Sequence, residues 1–260
     1  MKSIASLNDS RKGGLERYDS QFIQFKNGLR LCLVSLPGIN TVSLRSFTFV
    51  GSVYEHPEIS GISHFLEHML FRGNSKLGDA ARLSRKMEEM GGEFNAATSF
   101  DMTEYWLDIH KDFLESGITR FCQFLQYPLL EQIEVERAII LEEVLVDYNE
   151  ENRLVDLDSL TSDLLWPNHP MGMPIIGNKE TISRMTQQDL LDWHKQFYKP
   201  QNTILGVTGD FDPAKIIDLV NSEFPKESPE SPPIKYQPIE VQAENREFLR
   251  LVKDMDNQYN

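Results

Sequence analysis

The order of strand-like and helical segments constrains the fold of this chain more than any other sequence feature. Runs rich in β-branched, aromatic and aliphatic residues come first, at positions 21–25, 29–36 and 41–50. Lys26-Asn27-Gly28 lies between the first two runs and is typical of a hairpin turn. The sequence therefore predicts that the domain opens with an antiparallel meander.

The later segments alternate between helical and strand-like spacing. Helical spacing runs from Ile62 to Phe71 and again from Ala80 to Met90, where Gly91-Gly92 ends it. The remaining pattern predicts two strands over 93–110, a strand over 203–208, and helices over 111–126, 129–150, 156–165, 186–197 and 212–224. We expect an α+β fold in which a mostly antiparallel, twisted sheet packs against several helices.

Two of these helices begin with recognisable signals. Thr186 and Asp189 have the spacing of a capping box, and Asp212-Pro213 is typical of a helix start. The boundaries predict a polar N-terminal segment over 1–19, one large domain over 20–225 and a proline-rich linker over 226–238. The last segment, 239–260, begins an apolar run that the chain end cuts short.

Composition excludes several classes of function. The 260 residues include 40 acidic and 26 basic side chains, and the formal charge of −14 repels phosphate backbones and anionic membrane surfaces. We therefore expect no nucleic-acid partner. No run reaches the roughly 18 apolar residues of a membrane span, and the opening has no apolar signal region, which predicts a cytoplasmic protein, with an organellar matrix as the alternative. Cys32 and Cys122 are expected to be buried free thiols.

The segment His64-Phe65-Leu66-Glu67-His68 is an H-x-x-E-H motif, the reverse of the commoner H-E-x-x-H zinc motif. Four residues turn about 400° on a helix, so both imidazoles project from one face, where they can share one metal ion. Neutral imidazoles suit zinc, and the displaced carboxylate of Glu67 can accept a proton from water. The remaining histidines lack such a pattern, and we expect surface or packing roles for His56, His110, His169 and His194.

Two histidines do not complete a zinc site, so a third ligand has to come from elsewhere in the chain. Glu142 and Glu143, neighbours in one predicted helix, are the candidates, and chemistry alone does not choose between them. Periodicity favours Glu143, because Ile139 and Ile140 share its face and Glu136 lies two turns earlier on it. We predict Glu143 as the third ligand, with Glu136 behind it as a supporting carboxylate.

These residues resemble the pitrilysin-type (M16, inverzincin) zinc metallopeptidases, which include mitochondrial processing peptidase and insulin-degrading enzyme. The resemblance covers nearly the whole chain, in the segments GISHFLEHMLFRGN, MGGEFNAATSFDMTEYW, ERAIILEEV, HPMGMPIIGNKETI and YKPQNTILGVTGDF. Glu143 lies 75 positions after His68 and seven after Glu136, and these glutamates match the family pattern. Asn74 is a minor departure, since the family often has Thr there.

The resemblance implies an endopeptidase that binds one Zn²⁺ and acts on a peptide or small protein. It assigns the metal to His64, His68 and Glu143, and catalysis to Glu67, as base and then proton donor, with Glu136 in support. Family members bind the substrate as an added edge strand, and Asn95 and Ala96 match the part that pairs with the substrate backbone.

Family enzymes also enclose the substrate between two similar halves. This chain resembles the metal-bearing half alone, with 239–260 as the start of a truncated second half, so we expect a partner half in the same full-length chain, in a separate subunit or in a homodimer. The alternatives are a non-catalytic assembly subunit that retains the fold and a structural zinc site, although three protein ligands leave the open position expected of a catalytic site.

Overall fold

A computed structural model describes residues 19–149, 153–167 and 169–225 of the chain. Its strands are β1 (Asp19–Gln24), β2 (Arg30–Ser35), β3 (Thr41–Thr48), β4 (Gly73–Asn74), β5 (Gly78–Asp79), β6 (Glu93–Thr98), β7 (Thr103–His110) and β8 (Thr203–Gly209). The central sheet has the order β1-β2-β8-β3-β7-β6, and β4 pairs with β5 separately. The predicted linker over 226–238, the segment 239–260 and all but the last residue of the segment 1–19 lie outside the described residues.

The first hairpin forms as predicted, but the predicted meander is wrong at its third strand. β1 and β2 pair antiparallel across a turn in which Gly28 has a positive φ of 87°. β8 then lies between β2 and β3, parallel to β2 and antiparallel to β3. Turn residues specify only pairing between neighbouring strands, whereas the insertion of β8 is a long-range contact. The sheet is still mostly antiparallel, which confirms the predicted fold class.

The helices are α1 (Ile62–Leu70), α2 (Ala80–Glu88), α3 (Leu114–Gln126), α4 (Ile133–Val146), α5 (Leu157–Leu165), α6 (Lys179–Arg184), α7 (Gln187–Phe197) and α8 (Pro213–Glu223). The capping box of α7 is present, with Thr186 and Asp189 bonded reciprocally. Asp212 caps α8 by accepting the amide hydrogen of Ala214, with Pro213 at the first helical position. These local signals placed both helix starts correctly. Within the described residues, no helix has the length and apolar character needed to cross a membrane.

The sheet buries one face against the helices. Along β3, β7 and β8, buried residues alternate with half-exposed ones, as the period-two geometry of a strand requires. Helix α1 is almost wholly buried, and Phe65, Leu66 and Met69 have no exposed surface. Burying each such side chain contributes roughly 1.5–3 kcal/mol. Packing therefore fixes the rotation of α1 about its axis, and with it the direction of the motif side chains.

Candidate metal centre

Helix α1 brings the two motif histidines together. Nε2 of His64 and Nε2 of His68 lie 3.2 Å apart. The start of the helix is held by the buried carboxylate of Glu55, which accepts the amide hydrogens of Gly61 at 2.7 Å and Ser63 at 2.9 Å. These bonds satisfy two of the amide groups that a helix N-terminus leaves unpaired. The position of His64 therefore depends on a residue that precedes the helix in the chain.

Helix α4 supplies a carboxylate to the same point. Oε2 of Glu143 lies 3.6 Å from Nε2 of His68 and 3.9 Å from Nε2 of His64, whereas Glu142 is exposed. The periodicity that favoured Glu143 was wrong about Ile139, which is 43% exposed, while Ile140 is fully buried. Helix α4 is apolar on more than one face, so its apolar residues do not identify the face that packs.

The three side chains have the separations that one zinc ion requires. Their ligand atoms all lie within 4.8 Å of one another, and no other such cluster occurs among the described residues. A tetrahedral zinc ion with bonds near 2.1 Å places its ligand atoms about 3.3–3.5 Å apart, close to the observed distances. Burial, with repulsion from His68, lowers the pKa of His64 to about 3, so its imidazole is neutral and has a free lone pair. The donor set therefore fits zinc.

Glu136 lies behind the cluster and is nearly buried. Its Oε2 lies 3.8 Å from Nδ1 of His68, and its Oε1 lies 3.5 Å from Nε of Arg72. A carboxylate in this place can orient the imidazole so that Nε2 presents its lone pair to a metal. Arg72 supplies the countercharge that a buried carboxylate needs.

Glu67 lies beside the cluster without joining it. Its carboxylate is buried, and Oε2 accepts a hydrogen bond from the hydroxyl of Thr98 at the end of β6. Burial raises the pKa of Glu67 above its usual value, and the hydrogen bond from Thr98 opposes part of that rise. A carboxylate with a raised pKa accepts a proton more readily than an exposed glutamate does.

A cleft of about 450 Å³ opens next to the cluster, with His64, Glu67 and Ala96 in its lining. Acidic residues line it as well, among them Asp147, whose pKa is raised by burial and by repulsion from Asp156. The cleft is therefore accessible to a ligand from outside the chain, and its lining is negatively charged.

The two predicted substrate-binding residues lie on β6, which is an edge strand of the central sheet. Ala96 lines the cleft and pairs with Tyr105 of β7. Asn95 is exposed, pairs with Trp106, and accepts the amide hydrogen of Ala96 with its own Oδ1. No described strand pairs with the outer edge of β6, so its backbone can accept another strand there.

Sequence reasoning missed Thr98 and Glu55. Thr98 is one threonine in a threonine-rich strand, and nothing in the sequence marks Glu55 as the partner of a helix start.

The histidines outside the motif have the expected packing and surface roles. His194, for example, contacts the carbonyl of Leu125 at 2.8 Å and stacks on Tyr198. Both cysteines are free thiols, Cys122 buried and Cys32 half-buried.

The fold and the cluster define a class of protein. The mostly antiparallel sheet packed with helices is the fold of M16-type proteases, and in this chain a buried helix brings two histidines close to a glutamate of a second helix. The chain belongs to this family: the family described as Insulinase (Peptidase family M16) matches residues 31–179, and the family described as Peptidase M16 inactive domain matches residues 184–259. The resemblance inferred from the sequence is thereby confirmed.

Several relatives carry the name zinc protease. The chain is 30% identical over 203 residues to an uncharacterised zinc protease of Rickettsia felis, covering 77% of this chain and 48% of that protein. It is 28% identical over 207 residues to the uncharacterised zinc protease YmxG of Bacillus subtilis, covering 79% and 49%. The chain thus spans about half the length of the curated relatives it matches.

Solved structures share the fold. A crystal structure of a protease from Helicobacter pylori superposes with a TM-score of 0.77 at 26% identity, covering 85% of this chain and 54% of that one. A mutant of the ferredoxin protease FusC, in complex with Arabidopsis ferredoxin, superposes with a TM-score of 0.73 at 25% identity, covering 84% and 25%. Both matches cover much less of the known structure than of this chain.

Proposed function

We propose that the chain is a zinc-dependent endopeptidase, or the metal-bearing half of one. The observation that carries the proposal is the convergence of His64, His68 and Glu143, with Glu67 buried beside them and an open cleft lined by His64 and Glu67. The relatives named zinc proteases support the choice of metal and of reaction. In this proposal one zinc ion is held by the two Nε2 atoms and the carboxylate of Glu143.

The residues of the chain have distinct roles in the proposed reaction. When bound, the zinc ion supplies Lewis-acid polarisation of a water molecule and of the peptide carbonyl. Glu67 removes a proton from the attacking water and delivers it to the amine that leaves as the peptide bond breaks. Glu136, whose Oε2 lies 3.8 Å from Nδ1 of His68, favours the orientation of the imidazole in which Nε2 faces the metal. The neutral state of His64 leaves Nε2 free to bind the metal.

The proposed substrate is an extended peptide or a small protein that adds a strand to the edge of β6. Main-chain hydrogen bonds to the segment that contains Asn95 and Ala96 would hold it in the cleft, as in other edge-strand complexes. A strand bound there passes Glu67, because Thr98 at the end of β6 contacts that carboxylate. We further propose that a second, homologous half covers the cleft, since the relatives are about twice as long as the matched region.

Metal analysis and turnover test the proposal together. The purified chain should hold one zinc ion, and His64→Ala should lose it, while His110→Ala, at an exposed histidine away from the cluster, should retain it. Glu67→Gln should retain zinc and lose peptide cleavage, measured with and without a candidate second half. Zinc content that is unchanged in His64→Ala would overturn the proposed metal site. Zinc binding without cleavage under any pairing would instead support a non-catalytic assembly subunit.

A further inference from the structure

We infer that Thr98 is a positioning residue for Glu67: its hydroxyl fixes the carboxylate at the distance from the β6 edge strand that peptide cleavage needs. The inference deepens the proposed function and depends on it. Thr98 belongs to the strand proposed to bind the peptide, and it touches the group proposed to move the proton. A single residue therefore links substrate position to base position.

The hydrogen bond from Thr98 gives the buried carboxylate of Glu67 a donor. This side chain has three rotatable bonds, the residue is 9% exposed, and its Oε2 lies 2.5 Å from Oγ1 of Thr98. A buried carboxylate without a donor is costly and would rotate toward solvent. The hydroxyl of Thr98 is the donor that meets this need.

Thr98 is itself held by the turn between β6 and β7. The amide and the hydroxyl of Ser99 both donate to the carbonyl of Met102, at 2.8 Å and 2.9 Å. The hydroxyl of Thr103, the ladder partner of Thr98, donates to the carbonyl of Val50 at 2.9 Å. The end of the strand therefore has little freedom to move relative to the sheet.

The segment that follows β3, residues 51–53, packs against the same turn. The amide of Val53 donates to the carbonyl of Phe100 at 2.9 Å. Gly51 lies so close that a Cβ atom at this position would be 2.1 Å from the carbonyl oxygen of Ser99. Only glycine allows this approach without moving the turn. The surroundings of Thr98 are therefore rigid enough for a hydroxyl group to define where a carboxylate lies.

The residue type suits this role. Threonine is β-branched, so its χ1 angle is restricted in a strand and its hydroxyl has a defined direction. Valine has the same shape and the same strand preference but cannot donate, which makes Thr98→Val a test of the hydroxyl alone. Serine keeps the donor and should restore the contact with a less restricted χ1 angle.

The experiment compares Thr98→Val, Thr98→Ser and Thr119→Val in the chain, with and without a candidate second half. Thr98→Val should lower kcat roughly tenfold or more, with KM within about twofold and zinc content unchanged. Thr98→Ser should recover most of the lost kcat. Thr119→Val removes a hydroxyl that donates to a carboxylate outside the site, that of Glu223 at 2.9 Å, so its kcat should stay within about twofold of that of the unmodified protein.

Crystal structures of the zinc-loaded chain and of its Thr98→Val variant give a readout that does not need turnover. Glu67 should occupy one orientation in the former and leave it in the latter. Wild-type kcat in Thr98→Val, a loss carried by KM, failure of serine to rescue, or an unmoved Glu67 would each overturn the positioning role. Undiminished cleavage in Glu67→Gln would overturn the proposed function itself, so the two failures are distinguishable.

Discussion

Nδ1 of His68 lies 3.8 Å from the nearly buried carboxylate of Glu136, on the side of the imidazole opposite to Glu143. The other oxygen of Glu136 lies 3.5 Å from Arg72, one residue past the end cap of α1. The three side chains form a chain of contacts that runs from a guanidinium through a carboxylate to an imidazole, which is a proposed metal ligand. We therefore expect Arg72 to influence the proposed metal site although it is not part of it.

Arg72→Met should weaken zinc binding through this chain of contacts. Without its countercharge, the carboxylate of Glu136 is costly to bury and is drawn away from His68, so the imidazole loses its orientation. We expect zinc affinity to fall roughly tenfold, and the free energy of unfolding of the metal-free chain to fall by about 1–3 kcal/mol. Competition with a chelating indicator measures the affinity.

Two further variants serve as controls for Arg72→Met. Arg72→Lys keeps the charge and should retain more of the affinity than Arg72→Met. Arg85→Met, at an exposed arginine of α2, should bind zinc as the unmodified chain does. Equal affinity in Arg72→Met and the unmodified chain would show that Glu136 keeps its position without Arg72.

Glu143→Gln and Glu142→Gln form a matched pair on one helix. Both remove one negative charge at adjacent positions, so long-range electrostatic effects are nearly equal. Only Glu143 has a carboxylate near the two imidazoles, at 3.6 and 3.9 Å. Glu143→Gln should lower zinc affinity roughly a hundredfold or more, and Glu142→Gln should change it little. The reverse order in a calorimetric titration would assign the third ligand to Glu142.

The sequence alone could predict only part of the proposed metal site. The four-residue spacing of His64 and His68 defines their relative geometry by itself, because that geometry depends only on helix pitch. The choice between Glu142 and Glu143 depends on which face of α4 packs against α1. Apolar residues occur on both faces of α4, with Ile139 exposed and Val144 buried, so periodicity alone gave a mixed answer.

The fold shows the same difference between features set by local contacts and features set by distant contacts. Turn and cap signals act over a few residues and predicted the β1–β2 hairpin and the starts of α7 and α8 correctly. The placement of β8 between β2 and β3 depends on contacts between residues far apart in the chain, such as Cys32 with Gly206. Thr98 and Glu67 meet in the same way, 31 positions apart, and no local rule brings them together.

Asn74 forms hydrogen bonds through both the nitrogen and the oxygen of its side-chain amide. Nδ2 donates to the carbonyl oxygens of Gln123 at 2.9 Å and Phe124 at 3.3 Å. Oδ1 accepts the amide hydrogens of Lys76 at 2.9 Å and Leu77 at 3.2 Å. The residue is 1% exposed, so groups left unpaired there stay unpaired.

Asn74→Ala should therefore lower the free energy of unfolding by about 2–4 kcal/mol, since several buried polar groups lose their partners. Asn74→Thr should cost less, because a hydroxyl can still accept or donate. Chemical denaturation measures both, and Asn40→Ala, at an exposed asparagine, serves as the control with a change near zero. A loss below about 1 kcal/mol in Asn74→Ala would mean that water replaces the amide.

Glu55 gives the chain a pH-dependent stability. Burial raises the pKa of this carboxyl from 4.5 to about 7, against the lowering effect of its hydrogen bonds with Ser63 and Gly61. A pKa that is higher in the folded state means that the folded chain binds the proton more tightly than the unfolded chain does. The stabilisation is thus complete below about pH 4.5 and is lost as the pH rises toward 7.

The Glu55→Gln variant isolates this contribution, because glutamine keeps the size of the side chain and does not titrate. Between about pH 4.5 and 7.5, the free energy of unfolding of the unmodified chain should fall relative to that of the variant by roughly 3 kcal/mol, since a pKa that differs by one between the folded and unfolded chains corresponds to about 1.4 kcal/mol. Urea titrations of both proteins in a zinc chelator, at closely spaced pH values, measure the difference. A constant difference across this range would mean that Glu55 is ionised throughout, so that the two amide hydrogen bonds at the start of α1 outweigh its burial.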